Sequence, residues 1–397
     1  MIVRLLPILG ITFIDILGFS IMIPLLPFFV KRFGAPDIAV GVMFATFSLC
    51  QLVAGPVWGN LSDRIGRKMV LIVSQIGSTI AWTMLAFAPS IAFVVLSRAL
   101  EGLSGGNIGV TQAYVGDLVE PKRRGQAFAY LGAAFSAGFV FGPALGGWLA
   151  ERFGFAVPFL VAAALQALTL VVTIVMLPES RSRPTEEERS AVGLRDIARS
   201  LGDRTIAPLL WLRLVYTLAL YGWYSSMTLV LHAQLGWDVG QTSYVFAAFG
   251  ILNVALQLLV VRRVVDRIGS RTSTNLGLAF VVAAFALVPF ASSFAVAVAL
   301  LVLFACGGSF LNTAFPALAS EASPDERRGT VLGVVSGLDS LAGFVMPPIT
   351  TGILGALGVP PMAALLFGLV TLALAMGLVQ ARQAARAAPV AAGAGGD

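Results

Sequence analysis

Four ionisable side chains stand in stretches where lipid tolerates almost none. Asp15 is centred in FIDILGFSIMIPLLP, Arg98 and Glu101 share LSRALEGLSGG, and Asp339 lies in VVSGLDSLAGFV. A charged group at membrane depth costs roughly 2.5–3.5 kcal/mol on insertion scales, so it faces a protein interior and marks an ion or proton pathway. Arg98 and Glu101 are three residues apart and share a helical face, which makes Glu101 the obvious local partner of Arg98. Two readings of that pair stay open. Either it is neutralised and packs a bundle, or protonating Glu101 frees Arg98 to re-pair. Asp15 reads as a carboxyl whose charged form is penalised away from water, and Asp339 as its counterpart in the second half. The alternative for both is a hydrogen-bonded structural acid. Arg213, in another apolar run, either faces a cavity or snorkels toward an interface.

No other chemistry is on offer. The single histidine, His232, and two distant cysteines, Cys50 and Cys306, leave little for a catalytic or metal set. The G-x-x-x-x-G-K-[ST] phosphate loop is absent. The expectation is therefore no enzyme and no cofactor, with a proton gradient as the energy source.

The elements that position these groups follow from composition. Of 397 residues, 58% are hydrophobic and 12% charged, against about 45–50% and about 25% in soluble domains. Mean hydropathy is +0.90. That excludes a soluble enzyme and a disordered chain. Apolar runs such as Met69 to Ala88 and Phe155 to Leu177 are unbroken and do not alternate, which excludes a β-barrel. The N-terminal apolar run continues to Val30 without a small-residue cleavage site, so it reads as a retained first span.

Runs and breaks give twelve spans: Leu5–Val30, Val40–Trp58, Met69–Ala88, Ile91–Val115, Ala127–Leu149, Phe155–Leu177, Ile206–Leu231, Thr242–Val261, Thr274–Phe290, Phe294–Ala317, Thr330–Leu354 and Pro361–Val379. The long polar stretch between the sixth and seventh splits the chain. Residues 1–178 read as one six-helix bundle, 179–204 as a linker, 205–384 as a second bundle and 385–397 as a disordered tail. The halves repeat: SDRIG at 62–66 recurs as VDRIG at 265–269, and Pro121 recurs as Pro324, both 203 residues on. The expected fold is an all-α membrane protein of two six-helix bundles related by a pseudo-twofold axis along the membrane normal, with a site between them near the midplane. Twenty-one Lys and Arg fall on the side of the termini and linker, three on the other. The positive-inside rule then places both termini in the cytoplasm, and the same distribution explains the basic charge without a nucleic-acid partner.

The loop after span two reads GNLSDRIGRK, with glycines where a tight turn needs them and Asp63 placed to meet a helix N-terminus. It resembles the G-x-L-x-D-R-x-G-R-K signature of the major facilitator superfamily at every defined position, and the resemblance extends over nearly the whole chain. It implies a latch that holds the bundles together in the outward-facing state, carried by Gly59, Asp63, Arg64, Gly66, Arg67 and, at the end of span four, Asp117. Arg98 and Gly102 resemble that family's R-x-x-x-G motif, linked to proton coupling, although members often carry Gln where this chain has Glu101. In span five, Gly138, Gly142, Gly146 and Gly147 offer one smooth face for close helix approach, and Pro143 should bend or loosen the helix there. That pattern resembles the motif marking drug–proton antiporters. In span eleven GFVMPPITTG keeps the proline but not the glycines, which implies an asymmetric seal.

Asp15, Gly18, Pro24 and Pro27 are similar to a pattern of the tetracycline-resistance exporters. Two departures count against tetracycline itself: Ile80, Ala81 and Trp82 stand where those exporters carry a carboxylate, and span eight offers Asn253 and Gln257 in place of a histidine. Spans one, four, seven and ten are expected to line the cavity, with Asn107, Gln112, Tyr216, Trp223, Tyr224 and Asn312 as polar and aromatic members. The reading is a monomeric inner-membrane antiporter that exports small amphiphilic compounds against protons by alternating access. The competing reading is a symporter or facilitator importing a nutrient.

Overall fold

In a computed structural model the described residues are 2–105, 108–120, 123–180, 194–203, 206–321 and 328–393. Among them every regular element is helical, and eleven helices are long and apolar enough to cross a membrane. Spans one to three are Ile2–Lys31, Asp37–Ile65 and Arg67–Ala86. Span four is two shorter pieces, Ile91–Ser104 and Ile108–Leu118, which brings the crossings to the expected twelve. Spans five and six are Arg124–Phe153 and Ala156–Met176, followed by a linker helix, Leu194–Gly202.

The second half repeats the plan. Span seven is Ala207–Leu235. Span eight runs Val239–Leu256, widens to a π turn over Gln257–Val261, and ends as Arg262–Ile268. Spans nine to twelve are Ser270–Leu287, Phe294–Glu321, Arg328–Leu357 and Val359–Gly393. The last helix runs well past Val379, where the apolar run stops, through an Ala-, Arg- and Gln-rich stretch of high helix propensity.

Several helices reach 28–30 residues. At 1.5 Å per residue that is about 45 Å, so their ends project beyond a hydrocarbon core of about 30 Å. The basic turns sit on those projecting ends. Gly66 and Gly269 join spans two to three and eight to nine with φ of +100° and +80°, a backbone region costly to any residue with a Cβ. They lie 203 residues apart, so the same turn is built twice.

The close packing between halves falls at the end away from the termini. Gly41 of span two lies against Thr351 and Pro347 of span eleven, and Gly355 lies against Asp37. Gly147 of span five abuts Ser243 of span eight, and Gly240 abuts Glu151. Phe28 meets His232 edge-on at 5.3 Å, tying the tops of spans one and seven together. The two halves therefore form one wall at that end.

Candidate functional site

Arg98 is completely buried, although its side chain is among the largest in the interior. Its guanidinium lies 4.8 Å from the Trp82 ring and donates to Met22 Sδ at 2.7 Å and to Ser97 Oγ at 3.4 Å. The expected local ion pair with Glu101 is replaced by neutral partners, because the guanidinium stacks on the indole face rather than turning back along its own helix. Glu101 is 7% exposed, and its Oε2 has no hydrogen-bond partner among the described residues. Ser78 of span three approaches its carboxyl, and Arg98 and Asp15 are near enough for their charges to bear on it. Three of the four ionisable groups singled out above thus gather in the first half.

The fourth does not join them. Asp339 accepts from Arg213 Nε at 3.2 Å and from Nη2 at 3.0 and 2.9 Å, and Thr217 Oγ1 adds a bond at 3.3 Å. This settles the placement of Arg213: it faces span eleven, between Phe315 at 5.1 Å and Tyr216 at 5.8 Å. The repeat offset of 203 sets Asp339 level with Ser136 of span five, so Asp339 is not the counterpart of Asp15. Sequence reasoning named both residues and missed the pair.

The loop motif closes on itself. Arg67 Nη1 pairs with Asp63 at 2.9 Å and bonds Ser62, while its Nε reaches Asp117 at 3.3 Å. Glu179, unremarked in the sequence, accepts from the backbone N–H groups of Arg67 at 2.9 Å and Lys68 at 3.2 Å. Its carboxylate therefore satisfies the free amides at the start of span three, where the helix dipole favours negative charge. Ser62, Asp63 and Asp117 lie in the first half and Glu179 at the start of the linker, all on the end opposite the inter-half seam. The second copy keeps the geometry with different chemistry. Ser270, level with Arg67, donates to Glu321 at 2.8 Å. Arg271, level with Lys68, donates to Gln380 O at 2.9 Å, just as Lys68 donates to Ile174 O at 2.8 Å.

The glycines of span five do not form one face. A Cβ on Gly138 would meet Phe13 O at 2.8 Å, and one on Gly142 would overlap Ser20 Oγ, both on span one of the same half. Gly146 also faces Ile21 of span one. Gly147 instead points across the seam at Ser243. Pro143 lies within the same helix. On the other side of the pseudo-twofold, Gly41 of span two lies against Thr351 of span eleven, so there the glycine sits on the facing helix. The seal is asymmetric in residues yet equally close.

The expected cavity residues divide. Gln112 and Asn312 are exposed, and Tyr224 is half-buried against Phe304 at 6.1 Å. Trp223 is fully buried between Phe285 at 5.7 Å and Phe304 at 6.1 Å, filling the core of the second half rather than lining an opening. Tyr216 is also buried, beside Arg213. Asn107 lies outside the described residues. Asn253 accepts from Ser309 Oγ at 2.9 Å, linking spans eight and ten. No cluster of His, Cys, Asp or Glu fit to hold a metal occurs among the described residues.

Two helical halves, sealed along a seam at one end and carrying buried charge in their interiors, define a polytopic membrane transporter. Comparison with known proteins places it further. The chain belongs to the Major Facilitator Superfamily, whose family model matches residues 8–347 and 209–395. It is 29% identical over 345 residues to the class B tetracycline resistance protein of Escherichia coli, covering 85% of each chain. It is 27% identical over 355 residues to multidrug resistance protein 2 of Bacillus subtilis strain 168, covering 86% of each. The crystal structure of the human organic anion transporter MFSD10 (TETRAN) shares the fold, with a TM-score of 0.73 at 23% identity over 94% of this chain and 98% of that one.

Proposed function

We propose that this chain is a proton-coupled exporter of small amphiphilic compounds, a monomer in the cytoplasmic membrane with both termini in the cytoplasm. Its halves, residues 1–178 and 205–384, alternate access around one site, with 179–204 as the connecting linker. The observation that carries the reading is Glu101: a buried carboxyl with an unbonded oxygen, beside an arginine that is held by neutral groups. Such a carboxyl gains or loses a proton without breaking an ion pair. Asp15 and Arg98 are assigned with it to the coupling site, and Asp339 to holding Arg213.

Export rather than import is supported by the glycine pattern of span five and by the names of the tetracycline- and multidrug-resistance relatives. Tetracycline itself is disfavoured. Trp82, where a carboxylate was the expected feature of those exporters, gives Arg98 an aromatic face instead. A carboxyl among aromatic and thioether surfaces suits an amphiphilic cation or zwitterion. The seam lies at the far end of the molecule from the Arg67 cluster, which stands at the cytoplasmic end.

Everted vesicles with an acid lumen test the reading. Added ethidium should enter the lumen and release protons from it, and Glu101→Gln should abolish both. Absence of luminal uptake, with protons instead moving alongside an imported nutrient, would establish the symporter reading.

A further inference from the structure

A second feature of the first half lies away from the inter-half seam. Gln75 of span three is completely buried, and neither its Nε2 nor its Oε1 has a hydrogen-bond partner among the described residues. An amide in that position is retained at a cost unless something bonds it. One turn along the same helix face is Ser78, which approaches the Glu101 carboxyl. Span six packs against span three and presents Gln166, Thr169 and Thr173, all buried, at the i, i+3, i+7 spacing of one helix face. Thr173 is completely buried, and its Oγ1 also has no partner among the described residues. Beyond Thr173, Lys68 Nζ bonds Ile174 O at 2.8 Å at the terminal end of the molecule.

By their order along spans three and six, these groups descend one bundle as a row of polar positions, from Glu101 and Ser78 through Gln75 toward Thr173 and Lys68. We propose that this row is a hydrated proton path joining Glu101 to the face that carries the termini, separate from the substrate cavity between the halves. Buried water is held where several polar groups lack protein partners, and such waters bridge groups too far apart for a direct hydrogen bond. The amide of Gln75 can donate to one water and accept from the next, and the hydroxyls of Ser78 and Thr173 can do both. The path gives Glu101 an exit to the cytoplasmic side while cargo occupies the cavity. A side chain filling that row with carbon would break the relay without touching cargo.

The inference rests on Glu101 being the coupling acid, and the experiment separates the two. Full-length protein in vesicles is given a pH jump on the face of the termini, and the infrared carbonyl band of protonated Glu101 is followed in time. Glu101→Gln removes the band and proton-driven ethidium uptake; a band that survives would overturn the coupling assignment. With that assignment intact, Gln75→Leu and Thr173→Val should slow the band's decay at least tenfold and lower the maximal uptake rate, with half-saturation by ethidium unchanged. Gln75→Ser, which leaves room for one more water, should keep the wild-type rate. Equal slowing by Leu and Ser would show that Gln75 only fills space, and wild-type decay in Gln75→Leu would show that protons leave by the cavity. Either result overturns the path. Tm of each purified variant is measured alongside, so that Gln75→Ser and Thr173→Val remain informative where Gln75→Leu fails to fold.

Discussion

Substituting Gly147 by alanine should tilt the molecule toward opening at the end away from its termini. The new methyl would overlap Ser243 Cβ and lie 2.6 Å from its Oγ, across the seam between spans five and eight. Neither helix yields easily, because Ser243 is fully buried and close to its own backbone. Overpacking of this kind costs about 1–3 kcal/mol. The strain is present only while the seam is closed, so it shifts the conformational equilibrium toward the open form. Taking about 2 kcal/mol, at 1.4 kcal/mol per tenfold the ratio of closed to open shifts by about 30-fold. A population of 99:1 would become about 3:1. Spin labels on Ala35→Cys and Leu357→Cys, in a chain with Cys50 and Cys306 replaced by alanine, read that change as a second, longer distance. Ser243→Gly in the Gly147→Ala background removes the clashing atoms and should restore the short distance. Gly142→Ala is the contrast, since its Cβ would strike Ser20 within the same half. It should lower Tm and leave the distance distribution alone. A shifted distribution for Gly142→Ala, or none for Gly147→Ala, would refute the division of these glycines between two interfaces.

Other consequences follow from the same contacts. Gly66→Ala imposes a positive φ on alanine and drives its methyl into the Glu179 carboxylate, so it should destabilise by about 1–3 kcal/mol, seen in the thermal unfolding of detergent-solubilised protein. Glu179→Gln keeps an acceptor at the start of span three but removes the charge, and should cost about 0.3–1 kcal/mol, less at high salt. Trp82→Leu withdraws the aromatic face from Arg98 and should lose about 1–2 kcal/mol more than Trp82→Phe by the same measurement.

The topology was legible because the bilayer forces long apolar runs, and because a turn built twice leaves the same glycine and aspartate 203 residues apart. Partnerships were not. The three-residue spacing of Arg98 and Glu101 pointed to a pair within one helix, but helical spacing says nothing of Trp82 and Met22 arriving from other spans. Arg213 and Asp339 are 126 residues apart, and no local pattern joins them. Trp223 looked like a cavity residue by type and span, whereas its helical phase turns it into the aromatic core beside Phe285 and Phe304. Glu179 was hidden for a different reason. An acid at the start of a polar linker looks like solvated charge until span three is seen to begin beside it.

The two halves treat their buried charges in opposite ways, and that difference yields a last prediction. In the second half Arg213 holds both oxygens of Asp339, and Thr217 bonds one of them as well. Both oxygens of that carboxylate are therefore engaged. In the first half Arg98 is satisfied by a ring, a sulfur and a hydroxyl, and Glu101 is left with an unbonded oxygen. Removing one member of the forked pair leaves the other uncompensated, at about 3–5 kcal/mol for full burial and less here, where the side chains are 11% and 26% exposed. Replacing both should recover most of that loss. Arg213→Met with Asp339→Leu should therefore unfold near the parent Tm, where each single change falls below it. The double variant should still take up ethidium against protons, and Glu101→Gln should not. Loss of proton-driven uptake in a well-folded double variant would return Asp339 to the proton pathway and remove the distinction between the halves.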